Sequence, residues 1–161
     1  MKHIVGVADM IVSGQPEDVI VTHALGSCLG ITVYDPHAQV GGLLHVMLPL
    51  STIDSQKATE APCMFVDTGV PRLFLEAYRL GAQKGRLQVR VAGGAAIRKN
   101  DEGEDHFQIG KRNMVMLRKL LWKNGVLIAA EDVGGSDSRT MTLTLATGEV
   151  TIRANGTEGA L

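Results

Sequence analysis

Sixteen Lys and Arg face seventeen Asp and Glu in this chain, so it has no excess of either charge and a net charge of −1. Without a basic stripe, binding to a phosphate backbone has little electrostatic support, and nucleic acid is a poor candidate partner. Cysteine is limited to Cys28 and Cys63. Neither belongs to a CxxC pair and no histidine stands at finger-like spacing, which argues against a zinc site. No apolar run reaches the length of a membrane span. The stretch MKHIVGVADMIVSG carries Asp9 within its apolar run and lacks a small-residue cleavage site, so it does not read as a signal peptide. Two free thiols in a reducing cytoplasm are the natural inference. Also missing is the GxGxxG arrangement of a dinucleotide fold, to which AGGAAI is no match. Aromatic residues are only 4%, whereas glycine has 19 copies. That balance suggests many tight turns and close backbone approaches.

What is present fits one globular domain: 161 residues, 45% hydrophobic and 20% charged. The first third reads as strands in HIVGVAD, DVIVTHA, CLGITVYD and VGGLLHVMLP, with Asp35-Pro36 turning the third into the fourth as a hairpin. The polar stretch LSTIDSQKATEAP reads as a surface loop. From Asp67 to Gln83, Val70, Leu73, Phe74 and Ala77 recur at helical spacing, with Asp67 or Thr68 as cap and Pro71 in the first turn. LQVRVAGG reads as a strand, KNDEGEDH as a charged loop, and KRNMVMLRKLLWKNG as a second helix stopped at Asn124-Gly125. VLIAAEDVGG, RTMTLTLAT and EVTIRA return to strands, the last two joined by a turn at Thr147-Gly148. The expectation is an α+β layered sandwich with mainly antiparallel strands and two principal helices. It places one domain over residues 1–154 and a flexible tail over 155–161.

The chemistry concentrates in VTHALGSCLG, where Cys28 follows Gly26 and Ser27 at a corner between two apolar runs. A reactive thiol needs a base and backbone donors, whereas a packed one needs neither. His45 is the candidate base. In its strand, Leu43, His45 and Met47 share one face and Leu44, Val46 and Leu48 the other. A core histidine bonded to backbone is the plainer reading. The hairpin through Asp35-Pro36 favours catalysis, because it sets His45 beside the strand that begins at Cys28. A neighbouring imidazole would lower the thiol pKa and pair a thiolate with an imidazolium. Thr22, at the entry to the corner, is a candidate for holding the second ring nitrogen, although spacing alone does not select it. Backbone N–H groups around Ser27 and Cys28 can receive an oxyanion, with Gly26 permitting close approach, unless the corner is only a tight turn. Cys63 reads as packing. His3, His23, His37 and His106 read as bystanders without partners, His23 being sent to the face opposite Thr22 by strand alternation.

The stretches VTHALGSCLGITVYDP, VGGLLHVMLP, FVDTGVPRLF, VRVAGGAAI, FQIGKRN and AAEDVGGSDSRTMTLTLATGEVTIR run in order over about residues 5–153. Together they resemble the bacterial chemoreceptor glutamine deamidases, the CheD family. The resemblance implies Cys28, Thr22 and His45 as the catalytic trio. It implies a fold similar to the deamidating domain of cytotoxic necrotizing factor toxins, and a cytoplasmic enzyme that needs no metal or cofactor. The implied substrates are glutamine side chains on chemoreceptor helices, with receptor methyl esters as a second class. A CheC-type phosphatase is the further partner of some members. Two departures stand out: His23 and Ala24 replace smaller or apolar residues after the Thr, and Ser138 replaces a glycine before Arg139. Two rival readings remain open. One is a transglutaminase-like amide transfer, in which an amine captures the thioester. The other is a binding module that docks on a phosphatase or receptor with its thiol unused.

Overall fold

The computed structural model describes residues 1–96 and 108–161. The charged loop KNDEGEDH, Ile97 of VRVAGGAAI, and His106 lie outside the described residues, Asn100 and Lys99 included. Within the described residues the order is β1 (Lys2–Val5), β2 (Asp9–Ser13), β3 (Val19–Leu25), β4 (Leu29–Asp35), β5 (Val40–Val46), α1 (Ser55–Glu60) and α2 (Val66–Arg79). It continues with β6 (Gln88–Gly93), α3 (Ile109–Lys123), β7 (Ile128–Val133), β8 (Arg139–Thr144), β9 (Glu149–Ala154) and β10 (Thr157–Ala160). One sheet has the strand order β1-β3-β8-β9-β10 and the other β2-β5-β4-β6-β7. Pairing is antiparallel except between β1 and β3 and between β6 and β7.

The architecture is the expected α+β sandwich. Ile20, Leu25, Leu43, Met141 and Leu143 fill the space between the two sheets. On the far side of the second sheet, Leu44 and Val46 pack against Leu73 of α2 and Leu117 of α3. Strands β4 and β5 therefore lie in a middle layer, and all seven residues of each are buried. A strand covered on both faces reads as a nearly continuous apolar run, which is what VGGLLHV does. The single polar ring in that run sits where both layers exclude water.

Four expectations are corrected. HIVGVAD is two strands: β1 joins the first sheet and β2 the second, with Ala8 in the left-handed region (φ 59) at the crossing. The stretch read as a loop holds a 3-10 turn at Ser51–Ile53 and then α1, where Asp54 accepts a bond from the Lys57 N–H at 3.1 Å. Asp67 does not cap α2. The helix starts at Val66 out of the 3-10 turn Pro62–Met64, and Asp67 accepts from the Ser51 N–H and hydroxyl at 2.9 and 2.8 Å. Pro71 consequently falls past the first turn, and its missing N–H leaves the Asp67 carbonyl without the usual helical bond. The last residues, expected as a frayed tail, run as β10 after a turn at Asn155-Gly156 (φ 51 and 73) and pair with β9, with every β10 residue exposed. Backbone pairing at a sheet edge does not require an apolar pattern, so composition did not reveal it.

Candidate active site

Three elements meet at the Cys28 corner: the end of β3, the start of β4 and the end of β5. Gly30 lies opposite His45 in the β4–β5 ladder, and Leu29 opposite Val46. Because side chains alternate, Gly30 and His45 share the face that looks toward the first sheet, and Cys28, just before β4, lies against the same inter-sheet core. Cys28 is half-buried there, against the inter-sheet core, while His45 is fully buried. Thr22 reaches His45 from the other sheet. Strand β3 carries Ile20 and Thr22 inward, then slips register between Thr22 and Leu25, with Ala24 at φ 58. That bulge turns the chain into the Gly26–Cys28 corner.

The Thr22 hydroxyl lies 2.7 Å from His45 Nδ1 and donates at 2.7 Å to the Val5 carbonyl. A hydroxyl has one proton, and a carbonyl only accepts. With its proton committed to Val5, Thr22 must accept from Nδ1–H. This assigns the tautomer: Nε2 carries the lone pair. Nε2 is buried and makes no hydrogen bond among the described residues. Burial lowers the His45 pKa and raises that of the Cys28 thiol, the latter only partly countered by the Cys28 backbone N–H on its own sulfur. Both shifts oppose the anticipated thiolate–imidazolium ion pair and favour a neutral thiol beside a neutral base, because burial penalises each charged form.

The carbonyls of the corner are all occupied. Gly26 O accepts from the Ala95 N–H at 2.9 Å, Cys28 O from the Gly94 N–H at 2.9 Å, and Ser27 O from Asn113 Nδ2 at 3.0 Å. The Ser27 and Cys28 N–H groups, by contrast, find no carbonyl partner among the described residues. Close approach of β6 to the corner requires glycine at position 93. Its φ is +110, and a Cβ there would overlap the Cys28 carbonyl oxygen.

The comparisons with known proteins now bear on this geometry. The family model described as CheD chemotactic sensory transduction matches residues 47–154. The chain belongs to the CheD family. A probable chemoreceptor glutamine deamidase, CheD 1, of Syntrophus aciditrophicus is 48% identical over 95% of this chain and 94% of its own. A probable chemoreceptor glutamine deamidase CheD of Solibacter usitatus is 48% identical over 98% of this chain and 92% of its own. One from Pyrococcus abyssi is 42% identical over 92% and 89%. The CheD family model begins at Met47, so it omits Thr22, Cys28 and His45, whereas the two bacterial relatives align over nearly the whole chain.

The remaining candidates fall as follows. Cys63 is half-buried against the helix-side core, and burial raises its pKa. His23 is exposed on the far face of β3, as alternation requires, and its Nδ1 lies 3.4 Å from the Thr140 hydroxyl. His3 is not without a partner: its Nε2 lies 3.2 Å from Asp18. Arg139 is buried and bonds the carbonyls of Gly93, Gly134 and Asp137 and the Asp132 carboxylate. It ties the end of β6, which grips the Cys28 corner, to the β7–β8 loop. The adjacent Ser138 is exposed, so the departure at that position leaves these bonds in place. Sequence reasoning missed Asn113 altogether. It is a polar residue on the buried stripe of α3, beside Met114 and Leu117, and that misplacement was the available signal.

Proposed function

We propose that this chain hydrolyses side-chain carboxamides of selected chemoreceptor glutamines to glutamate, releasing ammonia, with Cys28 as nucleophile. The observation that carries this reading is the Thr22–His45 bond across the two sheets, which holds a neutral imidazole with its Nε2 lone pair free on the face shared with Cys28. The names of the CheD relatives supply the substrate class.

The reaction begins as the sulfur attacks the carboxamide carbon and the thiol proton passes to Nε2, so neither group need be charged beforehand. The carbonyl oxygen becomes an oxyanion, received by the Ser27 and Cys28 N–H groups, with Gly26 leaving room for the substrate. Nε2–H then protonates the departing amine and ammonia leaves a thioester. Neutral Nε2 next takes a proton from water, whose oxygen attacks the thioester carbon. The C–S bond breaks, the sulfur regains its proton, and glutamate is released. Thr22 holds the ring through both halves. A receptor methyl ester would follow the same course with methanol as leaving group. The same reading sets the reaction in the cytoplasm, where receptor helices carry these glutamines, and admits a CheC-type phosphatase as a further partner. No described helix is long and apolar enough to cross a membrane.

The test is incubation with a receptor cytoplasmic fragment and mapping of Gln-to-Glu conversion by mass spectrometry. Conversion by the native chain and none by Cys28→Ala is expected. Conversion that survives in Cys28→Ala would overturn the reading, as would no conversion by the native chain on any receptor of its own organism.

A further inference from the structure

Asn113 has no part in the steps above, yet it has zero exposure. Its single amide nitrogen donates to two backbone carbonyls, Ser27 at 3.0 Å and Met47 at 3.1 Å. The first precedes Cys28 and the second lies two residues beyond His45. Both partners accept only, so the amide orientation is settled: Nδ2 faces them and Oδ1 faces away. Oδ1 is buried and finds no partner among the described residues. An orphaned buried acceptor is a stability cost that an apolar side chain of like size would not carry, so packing alone does not explain an amide here.

The consequence lies in the peptide groups. In a planar trans peptide, the carbonyl of one residue and the N–H of the next point in opposite directions. Ser27 O and Cys28 N–H belong to one such unit. Pulling Ser27 O toward α3 therefore swings the Cys28 N–H away from α3. The Gly26 carbonyl, held by the Ala95 N–H, does the same for the Ser27 N–H. Of these two anchors, only Asn113 is a side chain. The helix can come this close because residue 110 is glycine: a Cβ there would lie 2.5 Å from the Gly94 backbone. In the resting chain the Cys28 N–H has no carbonyl partner among the described residues, which leaves it for a substrate carbonyl.

We infer that Asn113 is a positioning residue for deamidation: it aims the Cys28 N–H at the developing oxyanion and, through Met47, keeps the end of β5 beside that donor. This rests on the reading of Cys28 as nucleophile. Loss of Asn113 frees the 27–28 peptide to rotate, so stabilisation of the tetrahedral oxyanion weakens while the thiol itself stays in place.

The experiment measures ammonia release from a receptor cytoplasmic fragment and, in parallel, alkylation of Cys28 by iodoacetamide. Alkylation displaces iodide at a saturated carbon and forms no oxyanion, so it reads the thiol without reading the donor. For Asn113→Leu, kcat should fall about 10- to 100-fold, with KM moving by no more than about threefold. Alkylation should stay within about twofold of native, because access to the sulfur is unchanged and the backbone N–H is the smaller of the two influences on its ionisation. Asn113→Ser, smaller and less disruptive to folding, should show the same split. Native kcat in both variants would overturn the inference. So would kcat and alkylation falling together, which would make Asn113 a support for the thiol pocket only. Should neither variant fold, the native chain decides. A glutamine-aldehyde peptide adds to the Cys28 sulfur as a thiohemiacetal, and the Cys28 amide proton should move downfield in NMR; an unmoved resonance overturns the inference. Cys28→Ala separates the two claims. If it still releases ammonia, the nucleophile reading has failed. If it is silent while Asn113→Leu runs at the native rate, only the role of Asn113 has.

Discussion

Strand β4 ends in two corners of opposite character. At its far end Asp35, fully buried, accepts from the N–H groups of His37, Ala38 and Gln83 at 2.9, 3.0 and 2.9 Å and pairs with Arg86 at 2.9 Å. Burial alone would push this carboxyl up, but Arg86 and those donors hold it well below the usual carboxylate range. Nothing polar is left over on Asp35 for a ligand. At the near end, the corner before Cys28 is held by neutral donors to its carbonyls, and its Ser27 and Cys28 N–H groups have no carbonyl partner among the described residues. Buried charge with every partner in place makes a rigid anchor, whereas a corner satisfied on one side only presents donors to a reacting atom. The same strand thus carries an end built for stability and an end built for chemistry.

The sharpest way to break that comparison is at the chemical end. Cys28→Ala should abolish glutamine conversion, a loss of at least about a thousandfold, while thermal unfolding stays near native. Thr22→Val comes next. It keeps the shape but removes the acceptor for Nδ1–H and the donor to Val5, so kcat should fall about 10- to 100-fold as the ring loses its assigned tautomer. Ammonia-release kinetics check both. At the structural end the pattern should invert. Asp35→Asn takes the counter-ion from half-buried Arg86 and weakens the charge-assisted bonds from three N–H groups, and should cost about 2 kcal/mol in denaturant unfolding, with activity per folded molecule unchanged. The sign of its pH dependence follows from the depressed carboxyl. The contribution of Asp35 is fully present above the unfolded value of about 3.9 and is lost as pH falls from there toward the folded value. The stability gap between native and Asp35→Asn should therefore be widest near neutrality and close in acid.

The smallest effect concerns pH and the resting form of the site. With the imidazole pKa lowered from 6.5, His45 stays a neutral base into mildly acidic solution, and kcat/KM should hold below that value before it declines. With the thiol raised from 9.0, alkylation of Cys28 should still be climbing at that pH. An alkylation plateau at neutral pH would restore the ion pair and blur the contrast between the two corners.

Some of this was legible from residue order. Alternation in VGGLLHV placed His45 with Leu43 and away from Leu44 and Val46, and Asp35-Pro36 announced the hairpin that sets Gly30 opposite His45. Helical spacing found the stripe of α2 through Val70, Leu73 and Ala77. The split of HIVGVAD between two sheets was not legible, because a local turn does not state which sheet each half joins. Strand β10 was hidden for a related reason: its exposed residues have no apolar alternation, only backbone pairing to β9.

Local sequence by itself determined which side chains share a face, where the chain must turn, and that one thiol and one imidazole lie across a hairpin. Those follow from the period of a strand and the preferences of turn residues, which act over a few positions. Tertiary structure decided the rest. It brought Thr22 from the other sheet to commit the tautomer of His45, and Asn113 from α3 to hold the Ser27 carbonyl. It also buried the ring fully and the thiol by half, which disfavours the charged form of each. Hydrogen-bond partners distant in sequence and the cost of burying charge depend on how layers stack, and no stretch of residues carries that information alone.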